Sequence, residues 1–389
     1  MATHLAAVSI AKGEPLRIQT RSTPKPGKGE LLIEVKSVAF NPADRIMRDQ
    51  GLFISKYPTV VGFDISGLVL DVGDNVPVEA PGEGPGPFFQ AGITRVAAYA
   101  APIWRSCHPD YGAFQERCLV PWQHAVPLPE GISWNQAATL PVAAEVPLNA
   151  WDVMGIPRVG QFIPPASIPA TFSGGDNSKG TQNNKRDKGE ALLIWGASSS
   201  VGTMGVQSAR VLREDYNSSF AAVYATAGAA NHEYVASLGA DRVFDYKEPR
   251  VVDAIVSAAR EDGLVIRYCF LATGQLAPCQ AVLQAFIKNK QGREYCNAQI
   301  ASAPVIPQDA KEVNGVNTIF VLPSMDESER LAQFKYWMGT WLRENLAKGA
   351  VRPSPEPRVV GKGLGAINVG LEELLKGVSC TKLVVEITQ

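Results

Sequence analysis

Short apolar runs separated by turns fill the first 130 residues, and their spacing is typical of β-strands. Apolar and polar positions alternate through residues 31–39 and again through residues 65–72, while Pro26-Gly27 and Gly73-Asp74 mark turns. A period of two places one side of a strand in the core and the other toward solvent. We therefore predict a small β-rich domain, followed by a helix that starts after an N-cap at Ser133 and continues to Leu140.

Between residues 191 and 300 the pattern changes to strands that alternate with helices. Predicted strands cover residues 191–195, 221–225, 242–246 and 264–270, with another near Tyr295. Predicted helices cover residues 201–210, 231–238, 251–260 and 279–288. Strict alternation implies right-handed crossovers, so this segment is predicted to form an α/β, doubly wound parallel sheet of the Rossmann type.

The end of the chain combines one long helix with β-structure. The helix is predicted over residues 327–346, and its core-spaced side chains are Leu331, Phe334, Trp337, Met338 and Trp341. A strand over 357–360, a helix over 367–375 and a strand over 382–387 follow. This tail indicates that the chain returns to its first domain. We therefore predict a β-rich domain of residues 1–150 and 320–389 and a Rossmann domain of residues 151–319, with a flexible insertion at about 157–189.

Composition narrows the class of protein. The 389 residues are 46% hydrophobic and 19% charged, with a formal net charge of -1, so a folded protein with large cores is expected. The sequence contains no stripe of lysine and arginine of the kind that binds nucleic acid, so nucleic acid is not an expected partner. Neither a signal-peptide pattern nor an apolar run of membrane-spanning length occurs in the sequence, which predicts a cytoplasmic protein without a membrane partner.

The segment ALLIWGASSSVGTMGVQSAR, residues 191–210, passes from an apolar strand through a small-residue corner into a helix. Small residues let a ligand approach the backbone, and the free N–H groups of a helix start favour a phosphate. The spacing of Gly196, Gly202 and Gly205 is not G-x-G-x-x-G, and a tight packing corner would also require glycine. The surrounding strand–helix alternation favours the nucleotide interpretation.

The second strand of the Rossmann segment bears on the choice of cofactor. NAD-specific sites usually place an acid after this strand, where it binds the ribose diol. Residues 227–231 read AGAAN, without a carboxylate, so NADPH is predicted, although this turn also contains no arginine or lysine. Asn231 and Tyr246 are the polar candidates for contacts with the adenosine ribose-phosphate. The alternative for Tyr246 is a half-buried packing role.

The sequence contains no motif typical of a metal site or of a serine hydrolase. Cys107 and His108 are adjacent but have no third ligand at a suitable spacing, so no metal site is predicted. The four histidines are not accompanied by a G-x-S-x-G elbow. The segment NPADRIM, residues 41–47, places the acid Asp44 and the base Arg45 at a turn, which makes them the catalytic candidates. The alternative is an Asx turn and helix start with a surface ion pair.

Taken together, these motifs resemble the zinc-independent medium-chain dehydrogenases/reductases, and more narrowly the fungal trans-acting enoyl reductases of polyketide synthases. The matching segments run along the whole chain: AFNPADRIM (39–47), YPTVVGFDISGLVLDVG (57–73), YGAFQE (111–116), AATLP (137–141), WGASSSVG (195–202), SLGADRVFDY (237–246) and TKLVVEI (381–387). The resemblance implies a GroES-like β-rich domain beside the Rossmann domain.

The resemblance also implies which residues would bind the cofactor and the substrate. The residues implied for the cofactor phosphates are Ser198, Ser199, Ser200 and Val201, and those for the adenosine ribose-phosphate are Gly228, Ala229, Ala230, Asn231 and Tyr246. Those implied along the rest of the cofactor are Asp44, Arg45, Ile46, Met47, Ala298, Gln299, Gly363 and Leu364. The implied substrate residues are Val142, Ala143, Ala144, Glu145, Val146, Pro147, Leu148 and Asn149, with Val316, Asn317, Thr318, Ile319 and Phe320.

The activity implied by the resemblance is transfer of a hydride from NADPH to the β-carbon of an α,β-unsaturated polyketide thioester. The substrate would be carried by the acyl carrier protein of a polyketide synthase in secondary metabolism, and the reductase would be a monomer or homodimer. Relatives commonly have lysine at the position of Ile46, serine at Gly228 and a polar or basic residue at Ala230. A reductase of free quinones or enones, and a cofactor-binding homologue without redox turnover, are the alternatives.

Overall fold

A computed structural model describes residues 2–79, 86–160, 188–287 and 298–387. The chain divides into two compact units. Unit 1 comprises Met1–Val146, Ser199–Met204 and Pro323–Gln389, and unit 2 comprises Pro147–Ser198 and Gly205–Leu322.

The strands of the described residues, in chain order, are β1 (Thr3–Ser9), β2 (Arg17–Ser22), β3 (Glu30–Ala39), β4 (Thr59–Val60), β5 (Asp64–Val72), β6 (Arg95–Tyr99), β7 (Arg117–Pro121), β8 (Ala125–Pro127), β9 (Glu190–Trp195), β10 (Phe220–Thr226), β11 (Arg242–Phe244), β12 (Val265–Leu271), β13 (Ala298–Ser302), β14 (Val316–Phe320), β15 (Pro357–Lys362) and β16 (Lys382–Glu386).

The α-helices of the described residues are α1 (Pro42–Gln50), α2 (Trp134–Ala138), α3 (Pro141–Val153), α4 (Ser200–Glu214), α5 (His232–Ser237), α6 (Val251–Glu261), α7 (Leu276–Gln284), α8 (Glu327–Phe334), α9 (Arg343–Ala347) and α10 (Ile367–Leu375). A π-helical segment, Lys335–Leu342, joins α8 to α9, so the helix predicted over 327–346 is continuous. Of its five predicted core side chains, Phe334, Trp337, Met338 and Trp341 are buried, which confirms their packing role, whereas Leu331 is only partly buried.

Unit 1 is built on mostly antiparallel sheets. A small sheet has the order β2-β1-β4, and a larger one has the order β15-β16-β3-β5-β6-β8, with β7 also paired to β3. The C-terminal strand β16 lies antiparallel to β3, with Val384 opposite Ala39. Strand β3 is buried at eight of its ten positions, so both of its faces are covered and the predicted one-sided burial is wrong for this strand. The predicted β-rich architecture is confirmed.

Unit 2 contains one parallel sheet in the order β11-β10-β9-β12-β13-β14. Every residue of β9, the central strand that β10 and β12 flank, is buried, as expected for a strand covered on both faces. Helices α6 and α7 contribute Ile255, Cys279 and Leu283 to the core on one face. The predicted doubly wound α/β class is therefore confirmed.

Several element boundaries differ from the prediction. The helix predicted over 279–288 begins and ends earlier than predicted, at Leu276 and Gln284. The predicted third strand ends at Phe244 rather than at residue 246. The strand predicted near Tyr295 falls outside the described residues, as does most of the insertion predicted at 157–189; the observed strand in the first region begins at Ala298.

Candidate cofactor and catalytic sites

The small-residue corner after β9 is held in place by the neighbouring strand β10. The Gly196 N–H donates to Thr226 Oγ1 at 3.0 Å, and the Ala197 N–H donates to the Thr226 carbonyl at 2.8 Å. Gly196 has φ +80°, and a Cβ there would lie 2.6 Å from atoms of Thr273. Only glycine fits this conformation and this space, so the sharp turn after β9 requires glycine at position 196.

Serines follow this corner at the start of the fifteen-residue helix α4. Ser199 Oγ caps the helix by accepting the Gly202 N–H at 3.1 Å. Ser200 Oγ is buried and has no hydrogen-bond partner among the described residues. Residues 198–201 are all partly exposed. An orphaned hydroxyl and the positive end of a helix dipole fit an anionic phosphate, so the residues present suit the predicted cofactor group.

The turn after β10 is stabilised by a carboxylate that the sequence analysis missed. Ala229 and Ala230 are exposed, and the Ala229 N–H donates to Asp245 Oδ2 at 3.1 Å. The turn itself contains no carboxylate, as the sequence analysis stated, but the fold brings one beside it from another strand. Asp245 comes from the end of β11, which runs parallel to β10, so the two strands end at the same edge of the sheet.

Asp245 is already occupied by backbone hydrogen bonds. Its Oδ1 accepts the Lys247 N–H at 2.9 Å, and this bond is the main cause that lowers the pKa of the Asp245 carboxyl. The next residue, Tyr246, is 47% exposed, and its contact with the cofactor stays a prediction. Lys247 is exposed as well, and its Nζ lies 5.9 Å from the centre of the Tyr246 ring.

A buried polar network anchors helix α1 in unit 1. Asn41, the N-cap of the helix, donates from Nδ2 to Asp64 Oδ2 at 2.9 Å and accepts Lys382 Nζ at 2.6 Å. Lys382 Nζ also lies 3.0 Å from Asp64 Oδ2. The second oxygen of Asp64 accepts the Val142 N–H at 2.8 Å. The network therefore connects the helix start, strand β5, helix α3 and the C-terminal strand β16.

Asp44 belongs to this network and not to the surface. Its Oδ2 accepts the Asn41 N–H at 2.6 Å, whereas Oδ1 is buried without a partner among the described residues. The side chain is fully buried, and burial is the largest cause that raises the pKa of Asp44 to about 8, while the bond from Asn41 opposes it. The suggested surface ion pair of Asp44 is therefore wrong, because its carboxyl is closed off from water.

Arg45 pairs with a different acid on the same helix. Its Nε lies 2.9 Å from Asp49 Oδ2, one helical turn away, and the side chain is 36% exposed. Ile46 is partly exposed, whereas the Met47 side chain is fully buried in unit 1. The catalytic candidates Asp44 and Arg45 are thus a buried carboxyl and a partly exposed guanidinium on one helix.

The predicted substrate segment on α3 is largely buried. Only Val142 and Val146 are partly exposed, and the buried members are Ala143, Ala144, Glu145, Pro147, Leu148 and Asn149. The other segment, residues 316–320, is strand β14 at the edge of the parallel sheet. Val316, Asn317 and Thr318 line a pocket of about 740 Å³ in unit 2.

The remaining cofactor candidates have defined backbone positions. Ala298 begins strand β13, and the side-chain amide of Gln299 donates to the Met154 carbonyl at 3.0 Å. The Gly363 N–H donates to the Glu386 carbonyl at 2.7 Å in a backbone with φ +70°, and Leu364 is buried. All of these residues stay predictions for cofactor contact.

The described residues contain neither a candidate metal cluster nor a candidate membrane span. Among residues 2–79, 86–160, 188–287 and 298–387, no three His, Cys, Asp or Glu side chains are grouped so that they could hold a metal ion. The helices of the same ranges include none with the length and apolar character needed to cross a membrane. Cys107, Cys118, Cys269 and Cys279 are buried as free thiols.

Sequence comparison agrees with the architecture. Residues 27–130 match the alcohol dehydrogenase GroES-like domain. The chain is 36% identical over 385 residues to the trans-enoyl reductase tndF of Aspergillus flavipes, covering 98% of each chain. It is 37% identical over 332 residues to the trans-enoyl reductase tazE of Aspergillus terreus, covering 85% of this chain and 95% of the other.

Solved structures share the fold across the full length. The enoyl reductase CurK superposes with a TM-score of 0.67 at 16% identity, covering 99% of both chains. An alcohol dehydrogenase superfamily protein from Novosphingobium aromaticivorans has a TM-score of 0.70 at 18% identity, covering 99% of this chain and 100% of the other. A GroES-like unit with a Rossmann unit defines an oxidoreductase fold that implies a nicotinamide cofactor. The chain belongs to the medium-chain dehydrogenase/reductase superfamily.

Proposed function

We propose that this protein is an NADPH-dependent trans-acting enoyl reductase. Its substrate would be an α,β-unsaturated polyketide thioester carried by the acyl carrier protein of a polyketide synthase. The observation that carries the proposal is the phosphate turn, residues 196–201. Only glycine fits at position 196, and the Ser200 hydroxyl is buried without a partner among the described residues. Relatives named trans-enoyl reductases, 36% and 37% identical, supply the reaction class.

In this mechanism the protein binds and orients the cofactor and the thioester, and a reduced nicotinamide, when bound, would supply the hydride for the β-carbon. Residues 198–201 hold the cofactor phosphates at the start of α4. Charge then develops on the thioester oxygen, and preorganised donors that stabilise this oxygen would contribute most to the rate. The Arg45 guanidinium, which is partly exposed, is the proposed charged donor, and water would protonate the α-carbon.

The remaining assignments belong to the same proposal. Residues 1–150 and 320–389 would form the catalytic domain and residues 151–319 the cofactor domain. The cofactor and substrate residues given by the family resemblance keep their roles, with Asp44 acting through its helix. The protein would work in the cytoplasm, as a monomer or homodimer, and without a metal.

The test of the activity is direct. Purified protein is mixed with NADPH and a short enoyl thioester, crotonyl-pantetheine, and the loss of nicotinamide absorbance is compared with the amount of saturated thioester formed. We expect equal amounts. NADPH oxidation with a free enone or quinone, but not with the thioester, would instead establish the stand-alone reductase. Tight NADPH binding without turnover of either substrate would refute both reductase functions.

A variant tests the phosphate turn separately from the chemistry. Ser199→Asp keeps an oxygen that can cap α4 and adds a negative charge where the phosphate is proposed to bind. We expect NADPH affinity to fall at least tenfold in a fluorescence titration. Ser133→Asp is the matched control, because Ser133 caps helix α2 in the same way by accepting the Gln136 N–H. Equal affinities of both variants would remove the phosphate assignment.

A further inference from the structure

The end of strand β11 supplies side chains to the turn that follows β10. The two strands are parallel neighbours, and Thr226 lies opposite Phe244 in their register. Residues that follow the two strands therefore emerge at one edge of the sheet, although fourteen or more positions separate them in the sequence. In a Rossmann fold this edge, at the carboxyl end of the second strand, is where the adenosine ribose binds.

Gly228 shows how close these side chains come. A Cβ built on Gly228 would lie 3.9 Å from Tyr246 Cε1 and 4.0 Å from both Lys247 Cε and Lys247 Nζ. These are ordinary van der Waals distances, so the glycine leaves an open space bordered by a ring edge and an ammonium group. The turn 227–231 contains no cation of its own, and Lys247 places one beside it.

The nearby acid does not neutralise this ammonium group directly. Both oxygens of Asp245 accept backbone N–H groups, from Ala229 and from Lys247 itself. Within the described part of the chain, Lys247 Nζ forms no salt bridge within 4.0 Å of a carboxylate. Asp245 is held in the turn by these two bonds. The charged group within 4.0 Å of a Cβ built on Gly228 is the Lys247 ammonium.

We propose that Lys247 forms, with Tyr246, the subsite for the 2′-phosphate of the adenosine ribose. This inference rests on the proposed use of NADPH and deepens it, because it names the cation that the turn itself lacks. A lysine ammonium recognises phosphate as a point charge, and it does not require the bidentate geometry of arginine. Exposure of both side chains leaves the subsite accessible to a ligand.

The proposal is tested with fragments of the cofactor, without any turnover. Calorimetric titrations compare 2′,5′-ADP with 5′-AMP, two ligands that differ only in the 2′-phosphate. We expect the wild-type protein to bind 2′,5′-ADP at least tenfold more tightly. Lys247→Gln should lose most of this preference through weaker binding of 2′,5′-ADP, with AMP affinity changed less than twofold. Circular dichroism confirms that the variant is folded.

Two further variants complete the design. Lys376→Gln removes the same charge at an exposed position after helix α10 and should keep the preference of the wild-type protein. Gly228→Ser adds a hydroxyl where the Cβ has room, and we expect it to tighten 2′,5′-ADP binding by threefold or more, provided Lys247 is present.

The outcomes separate the two proposals. If the wild-type protein prefers 2′,5′-ADP and Lys247→Gln retains that preference, the role of Lys247 is refuted while the use of NADPH stands. If the wild-type protein binds both fragments equally, the NADPH assignment itself fails, and the role of Lys247 fails with it. Reduction of the enoyl thioester with NADH would then show that the reductase function survives without NADPH.

Discussion

Replacement of Asp44 by asparagine tests the most unusual electrostatic feature of unit 1. Asp44 is fully buried, and its Oδ2 accepts the Asn41 N–H at the start of α1. An asparagine side chain has nearly the same shape and keeps an oxygen for this bond, but it does not titrate. The variant Asp44→Asn therefore removes one ionisation and preserves the helix cap.

The sign of the effect follows from proton linkage. Burial raises the pKa of Asp44 from 3.8 to about 8, so the folded protein holds this proton more tightly than the unfolded chain. The stability gained from Asp44 is complete below about pH 4 and is lost progressively as the pH rises toward 8. Between those limits the loss is about 1.4 kcal/mol per pH unit. Between pH 5 and pH 8, Asp44→Asn should gain about 4 kcal/mol relative to the wild-type protein.

Urea unfolding at pH 5, 6, 7 and 8 measures this difference. Five of the seven tryptophans belong to unit 1, so fluorescence reports mainly on the unit that contains Asp44. Asp49→Asn is the control on the same helix, since pairing with Arg45 and Arg48 lowers the pKa of Asp49 and its contribution is lost only at acid pH. Parallel pH profiles for the wild-type protein and Asp44→Asn would refute a neutral, buried carboxyl at this position.

Three further predictions use the same reasoning. Lys382→Met leaves the buried Asp64 carboxylate without its cation. Urea unfolding at pH 7 should show that the free energy of unfolding falls by about 3–5 kcal/mol. A change below about 1 kcal/mol would contradict a buried ion pair. Burial lowers the pKa of His124 to about 3, so the stability of the wild-type protein should fall as the pH drops from about 6.5 toward 3. Calorimetry of His124→Phe should show a smaller fall in stability over the same pH range. An equal fall in both proteins would be inconsistent with a neutral His124. Gly196→Ala brings a Cβ within 2.6 Å of Thr273 in a backbone with φ +80°. Thermal unfolding should show that the free energy of unfolding falls by about 2–4 kcal/mol. An unchanged melting temperature would contradict the tight contact between this corner and Thr273.

Much of the local structure could be predicted from the sequence, because it depends on short-range signals. The helix predicted over 367–375 is observed as Ile367–Leu375, and the final strand predicted over 382–387 is observed as Lys382–Glu386. The N-cap predicted at Ser133 is confirmed by its bond to the Gln136 N–H. Capping hydroxyls, glycine breaks and apolar periodicity act within a few residues, so a single sequence contains the information needed.

The polar surroundings of the candidate site depend on strand order, which the sequence did not reveal. Asp245 and Lys247 follow β11, and the turn that they flank follows β10, so only the parallel pairing of these strands brings them together. The turn itself, residues 227–231, contains neither an acid nor a base, although the fold places one of each beside it. The same reason explains why Asp44, which looks like an exposed helix-start acid, is closed off by residues from distant segments.

The charge of the network around α1 bears on the reaction proposed for this protein. With Asp44 neutral below about pH 8, Asp64 and Lys382 remain as a single buried ion pair, and the network carries no net charge. If Asp44 were ionised, a second buried carboxylate would add negative charge at the start of the helix that carries Arg45. That charge would add to the Asp49 carboxylate, which already pairs with Arg45, and would further oppose the guanidinium proposed to stabilise a developing thioester oxyanion. The buried position of Asp44 therefore favours the proposed electrostatics of Arg45 at neutral pH, without requiring Asp44 to touch the substrate.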